Sequence, residues 1–153
     1  MGIYEKKLAE EGITLPDAPA PAANYVPYVL VGNVLYVSGQ ISQNSSGLIL
    51  GKLGDSLTTD QGAEAAKFCA ISLLAQVKSA CKGDLAKLVR VIKLTGFVNS
   101  TPEFTEQPMV INGASDLMGS VLGEAGKHAR VAVSANSLPL GVAVEIDGIF
   151  QIA

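Results

Sequence analysis

Apolar and polar positions along the chain switch between a period near 3.6 and a period of two, and the switches mark the elements. Ala66, Ala70, Leu73, Val77 and Ala80 recur at helical spacing. Thr58-Thr59-Asp60-Gln61 before them has the form of a capping box, and Gly83 after them suits a helix end. Val110, Ala114, Leu117 and Val121 form a second stripe, opened by Pro108 and closed around Gly123 or Gly126. Ile3, Lys7 and Leu8 predict a short helix over 3–11, ended by Gly12. Residues 28–31 and 34–38 are β-branched or aromatic and flank Gly32-Asn33, a pair suited to a tight hairpin. Residues 88–99 are apolar on both alternations, as in a central strand. Residues 129–134 and 142–152 alternate cleanly and predict two strands joined by a turn around Pro139 and Gly141. The order β-β-α-β-α-β-β, with a hairpin at each end, defines an α+β two-layer sandwich: one mixed sheet with two helices on one face. Nothing in the sequence covers the other face, so further copies of the chain are expected to cover it.

The 153 residues fit one domain over 1–153. Its parts are an N-terminal helix and proline-rich arm, 1–24, and a core, 25–153. The arm, 14–23, carries three prolines and reads as an extended segment crossing a surface. Residues 42–57 are polar and glycine-rich, a long loop and a candidate pocket wall. The chain is 48% hydrophobic and 16% charged, with a net charge of −3. That balance argues against a nucleic-acid surface, which needs a basic field. No run is long and apolar enough to span a membrane, and residues 1–11 are too charged for a secretory signal. A cytoplasmic protein is expected.

The residues narrow the chemistry further. Cys69 and Cys81 fall twelve apart at one helix, an axial separation of ~18 Å that excludes a bridge between them. With one histidine, His128, and no cysteine cluster, no metal site is expected. Gly-x-Ser-x-Gly, Gly-x-Gly-x-x-Gly and Walker patterns are missing. Chemistry here has to run on carboxylates, arginine, backbone groups or water. In the last two strands Arg130 and Glu145 each fall on the less apolar face of what read as neighbouring strands. A guanidinium can hold a carboxylate at two points, and a nearby carboxylate can orient or deprotonate water. An Arg–Glu ion pair between adjacent strands is the structural alternative. Tyr25 and Tyr28 read as packing anchors, His128 as a strand-end surface residue, and Asn112 as a surface amide or a ligand contact.

Tyr25-Val26, Gly32-Asn33 and Tyr36-Val37-Ser38-Gly39-Gln40-Ile41 resemble the opening hairpin of the Rid family of enamine/imine deaminases, the YjgF-type or L-PSP endoribonuclease-like proteins. The resemblance continues through 93–98, Asn112, Ala129-Arg130, Leu138-Pro139 and Val144-Glu145-Ile146-Asp147-Gly148-Ile149. It implies a chorismate-mutase-like fold and a homotrimer with a pocket in each cleft between subunits. It also implies cofactor-free hydrolysis of 2-imino or 2-enamino acids to 2-keto acids and ammonia. Arg130 would bind the substrate carboxylate, Glu145 would place the water, and Tyr25, Gly39 and Asn112 would line the site. The chain departs from the family pattern at Val131 and Ala132, where a small polar residue and a cysteine are usual, and at Ser42, usually proline. With its N-terminal extension it resembles a distinct subgroup. The alternative is a trimer that binds a small carboxylic metabolite without turning it over. An endoribonuclease fits poorly with the acidic balance and the single histidine.

Overall fold

The computed structural model describes residues 2–153. Helix α1 (Ile3–Glu10) is followed by the extended arm, then β1 (Tyr28–Val31) and β2 (Val34–Ile41). The hairpin turns where expected, with Val31 opposite Val34 and Gly32 at φ +61°, a conformation glycine adopts without strain. The 42–57 loop holds a small hairpin of β3 (Gln43–Asn44) and β4 (Gly47–Leu48). Next come α2 (Thr59–Ala80), β5 (Leu88–Asn99), α3 (Gln107–Leu122), β6 (Ala129–Ala135) and β7 (Val144–Ile152). The predicted capping box is present: the Gln61 amide donates to the Thr58 hydroxyl, and the Gln61 side chain accepts from the Thr58 amide at 2.9 Å.

The five-stranded sheet runs β1-β2-β7-β5-β6. It is mixed, with β6 parallel to β5 and every other neighbouring pair antiparallel. This is the α+β sandwich expected, α2 and α3 both lying on one face. The apolar sides of β7 and β5 meet them there: Leu94, Val98, Val144, Ile146 and Phe150 are wholly buried. A Cβ at Gly113 in α3 would overlap the Ala63 carbonyl of α2, so this glycine sets how closely the two helices approach. Cys69 is buried in this core, its thiol 3.5 Å from the Val144 carbonyl, and burial pushes its ionisation well above the ordinary range.

One expectation about connectivity is corrected. The last two strands are not a hairpin: β6 pairs with β5 at the sheet edge, and β7 runs between β2 and β5. The turn predicted at Pro139 and Gly141 exists, with Leu140 at φ +60°, but it belongs to a crossover that passes over β5. Clean alternation in consecutive strands fixes each strand's two faces and leaves their partners open.

The sheet face away from the helices is uncovered within the chain. It presents Val29, Val31, Tyr36, Val131 and Val133, all 41–62% exposed. Between them lie Lys93, Thr95, Asp147 and Glu145.

Candidate functional site

The registers assign each candidate residue to a face. Arg130 stands opposite Leu94, whose side chain is buried under the helices, and so points toward α3. Glu145 stands opposite Phe97 and points to the open face. The two are therefore not on one face of neighbouring strands. They lie roughly 14 Å apart in the sheet, separated by β5 and facing opposite sides. The error comes from polarity: on β6 the apolar Val131 and Val133 face outward, so the more polar set of that strand faces the helices. An intrachain Arg130–Glu145 ion pair is excluded by the same geometry.

Arg130 meets α3 instead. Its Nη1 donates to Asn112 Oδ1 at 2.9 Å and to Ser115 Oγ at 3.1 Å, and its Nη2 donates to the Pro108 carbonyl at 3.2 Å. Pro108, Asn112 and Ser115 fall at i, i+4 and i+7, one stripe of the helix. All three acceptors are neutral, and among the described residues no carboxylate pairs with the guanidinium. Of its five donors, Nε–H and one Nη2–H stay uncommitted, a two-point edge suited to a carboxylate.

The second group gathers around a bulge in β2, where the register with β7 shifts between Val37 and Gln40. Gly39 sits in this bulge, and a Cβ there would collide with the Glu145 carboxylate. Glycine is thus the residue that lets Glu145 lie against the β2 backbone. Burial, then the Asp147 charge, raise the Glu145 carboxyl above the ordinary carboxylate range. Asp147 is raised by burial too, offset by a hydrogen bond with Thr95 and by the Lys93 charge. Gly39 also lines a cavity of about 350 Å³ with Tyr25, Ser38, Gln40, Gln76 and the proline arm. On the open face it borders a depression of about 460 Å³ with Tyr36, Lys93 and Asp147. A larger cavity of about 540 Å³, between the arm and α2, contains none of the candidate residues.

Five candidates thus form two groups: Arg130 with Asn112, and Tyr25 and Glu145 around Gly39. Tyr28 is an anchor as expected, its hydroxyl 3.3 Å from Ser79 Oγ. His128 departs from its surface reading, because both ring nitrogens are bonded: Nδ1 to the Gly126 carbonyl at 2.6 Å and Nε2 to Ser115 Oγ at 2.9 Å. Gln40, part of the Tyr36–Ile41 motif but not a candidate there, and Gln76 join the group around Gly39. Gln76 Nε2 donates to the Pro19 carbonyl at 2.7 Å and fastens the arm over the cavity that Tyr25 and Gly39 line. Its signal was a buried amide inside the apolar run Leu73-Leu74-Ala75-Gln76-Val77. Among the described residues no group of three or more His, Cys, Asp or Glu is placed to hold a metal, and no helix is long and apolar enough to cross a membrane.

The sheet order and the helix pair define a chorismate-mutase-like α+β protein, and comparison with known proteins gives its family. Residues 5–147 match the model described as "YjgF/chorismate_mutase-like, putative endoribonuclease", and the chain belongs to that family. It is 52% identical over 153 residues to Protein TCP17 of Trypanosoma cruzi, spanning 99% of this chain and 95% of that one. The crystal structure of Atu1372 from Agrobacterium tumefaciens, described as of unknown function, is 51% identical with a TM-score of 0.92, over 99% of this chain and 93% of that one. RidA from an Antarctic Psychrobacter is 27% identical with a TM-score of 0.60, over 89% and 94% of the two chains.

Proposed function

We propose that the chain hydrolyses 2-imino and 2-enamino acids to 2-keto acids and ammonia, in clefts between the copies of a homotrimer. The observation that carries this reading is the Arg130 guanidinium, held by three neutral acceptors with a two-point donor edge left over. Fixed in place by neutral groups, this arginine keeps its charge for an anion. Likeness to a RidA supports the reaction class by analogy.

In this reading one chain supplies Arg130 and Asn112 and its neighbour supplies Tyr25, Gly39 and Glu145, since the two groups face opposite sides of a single sheet. The exposed valines of the open face supply the surface that brings copies together. Arg130 holds the substrate carboxylate. Glu145, with a proton affinity raised by burial, takes a proton from water as the oxygen attacks the imine carbon. That proton passes to the imine nitrogen, giving a carbinolamine. Glu145 then takes the carbinolamine hydroxyl proton and passes it to nitrogen as the C–N bond breaks. Both water hydrogens end on nitrogen, so one water is consumed, one ammonia leaves and the carbon becomes a ketone. Both substrate and product carry the carboxylate, and no electrons are gained or lost.

The test generates 2-iminobutyrate in situ and follows release of 2-oxobutyrate, with the mass of the protein measured by light scattering. Faster keto-acid release by a trimer is expected. A trimer that binds 2-oxobutyrate without accelerating release is the non-catalytic binding protein instead, and a monomer removes the shared cleft.

A further inference from the structure

His128, Ser115 and Arg130 form a chain of hydrogen bonds whose direction is fixed at both ends. The Gly126 carbonyl can only accept, so His128 Nδ1 at 2.6 Å carries the ring hydrogen. The Arg130 Nη1, 3.1 Å from Ser115 Oγ, can only donate. Ser115 Oγ accepts from arginine, and with the ring hydrogen on Nδ1 and Nε2 bare it gives its single hydrogen to His128 Nε2 at 2.9 Å. In that form every donor in the chain meets an acceptor. The Nε2–H tautomer would leave Nδ1 facing a carbonyl with no hydrogen between them.

We propose that His128 and Ser115 are positioning residues for Arg130. The ring, anchored on Gly126 in the turn ahead of β6, locks the serine hydroxyl so that its lone pair faces Nη1. The guanidinium is then held by Ser115 and Asn112 through Nη1, with Nε–H and one Nη2–H left uncommitted. Neither residue touches the substrate; each acts through the arginine. The inference rests on the carboxylate role proposed for Arg130 and adds what keeps that group in one orientation. Ser115 lies one turn beyond Asn112 on the same stripe of α3, and His128 lies two residues before Arg130, immediately ahead of β6.

The chain has one histidine, so its imidazole nitrogens give an unambiguous NMR signal. At mildly alkaline pH the free ring favours Nε2–H; here the Nδ1–H form is expected, together with slow rotation of the Arg130 guanidinium. Ser115→Ala and His128→Ala are each expected to free that rotation, while Ser115→Thr, which keeps a hydroxyl, preserves it. An Nε2–H ring, or unchanged Arg130 signals in both alanine variants, overturns the relay. With 2-oxobutyrate as the probe, each alanine variant is expected to bind about tenfold more weakly, the double variant no more weakly than either single one. In turnover the same loss is expected in KM, with kcat within about twofold. Unchanged 2-oxobutyrate affinity in both alanine variants, where Arg130→Lys loses it, overturns the positioning role. Wild-type affinity in Arg130→Lys itself overturns the carboxylate reading, and the ligand-free NMR result then decides the relay alone.

Discussion

The two faces of the sheet are both apolar, and the chain treats them differently. Under α2 and α3, Leu94, Ile146 and Phe150 have no exposed surface, whereas on the far side Val29 and Val31 are 50% and 62% exposed. Buried apolar area stabilises the fold of one chain; an apolar face left wet costs solubility unless something covers it. The covered face holds the fold together. The open face carries the carboxylates Glu145 and Asp147 among its valines, and it is where a second copy is proposed to sit.

Truncation beneath the helices should give the largest effect. Phe150→Ala removes a fully buried ring and is expected to cost about 3–5 kcal/mol in urea unfolding. Val131→Asp on the open face should instead leave the far-ultraviolet circular dichroism intact and lower the mass seen by light scattering. A Val131→Asp protein of unchanged mass breaks the contrast between the faces.

The carboxylates sharpen the contrast on the open face itself. Glu145→Gln keeps the volume and removes the base, and is expected to lower kcat by ~10²-fold on 2-iminobutyrate. Asp147→Asn should cost far less, because Thr95 and Lys93 already engage that carboxylate. A dead Asp147→Asn beside an active Glu145→Gln would reverse the assignment of roles.

Much of this division was legible in the chain. The Thr58–Gln61 capping box, the Gly32-Asn33 turn and the alternation in β7 each depend on neighbours a few residues apart, and each appears as read. What failed was non-local. Strand order is set by contacts between residues far apart in the chain, and alternation carries no record of them. The rule that apolar residues point to the core also failed on β6, because Val131 and Val133 face a side that the chain leaves open. The Arg130 site was half visible. Asn112 was open to a ligand role in the sequence, but Ser115 one turn on carries no signal there and acquires its role only where β6 packs against that stripe.

On the helix side of the sheet, Arg130→Lys tests geometry at constant charge. Lysine cannot span Asn112, Ser115 and the Pro108 carbonyl while offering a two-point edge. KM for 2-iminobutyrate is expected to rise by about tenfold, the worth of one good charge-assisted hydrogen bond. Unfolding in urea should change little, since the arginine is satisfied by neutral groups and no buried carboxylate is left behind. An unaltered KM would move carboxylate recognition away from α3 and β6.

The smallest expected effect is a change of stability with pH, and its sign separates an active-site carboxylate from a structural one. A structural carboxylate, paired or well bonded, has its ionisation lowered by folding and stabilises the protein as pH rises. Glu145 is the reverse: burial and the Asp147 charge raise its ionisation, so in the carboxylate range the folded chain binds more protons than the unfolded one. Stability then falls as pH rises from the ordinary glutamate value through the raised one, and the whole cost is present above it. Glu145→Gln removes this cost and also relieves Asp147 of a like charge. The variant should therefore be more stable than wild type in urea at neutral pH, the gap closing as pH drops below the ordinary carboxylate range. Set beside the loss in kcat, that gain means the fold retains Glu145 at a thermodynamic disadvantage, which a chemical role accounts for. If Glu145→Gln is less stable at neutral pH, the carboxylate is holding the open face together, and the base must be sought elsewhere in the cleft.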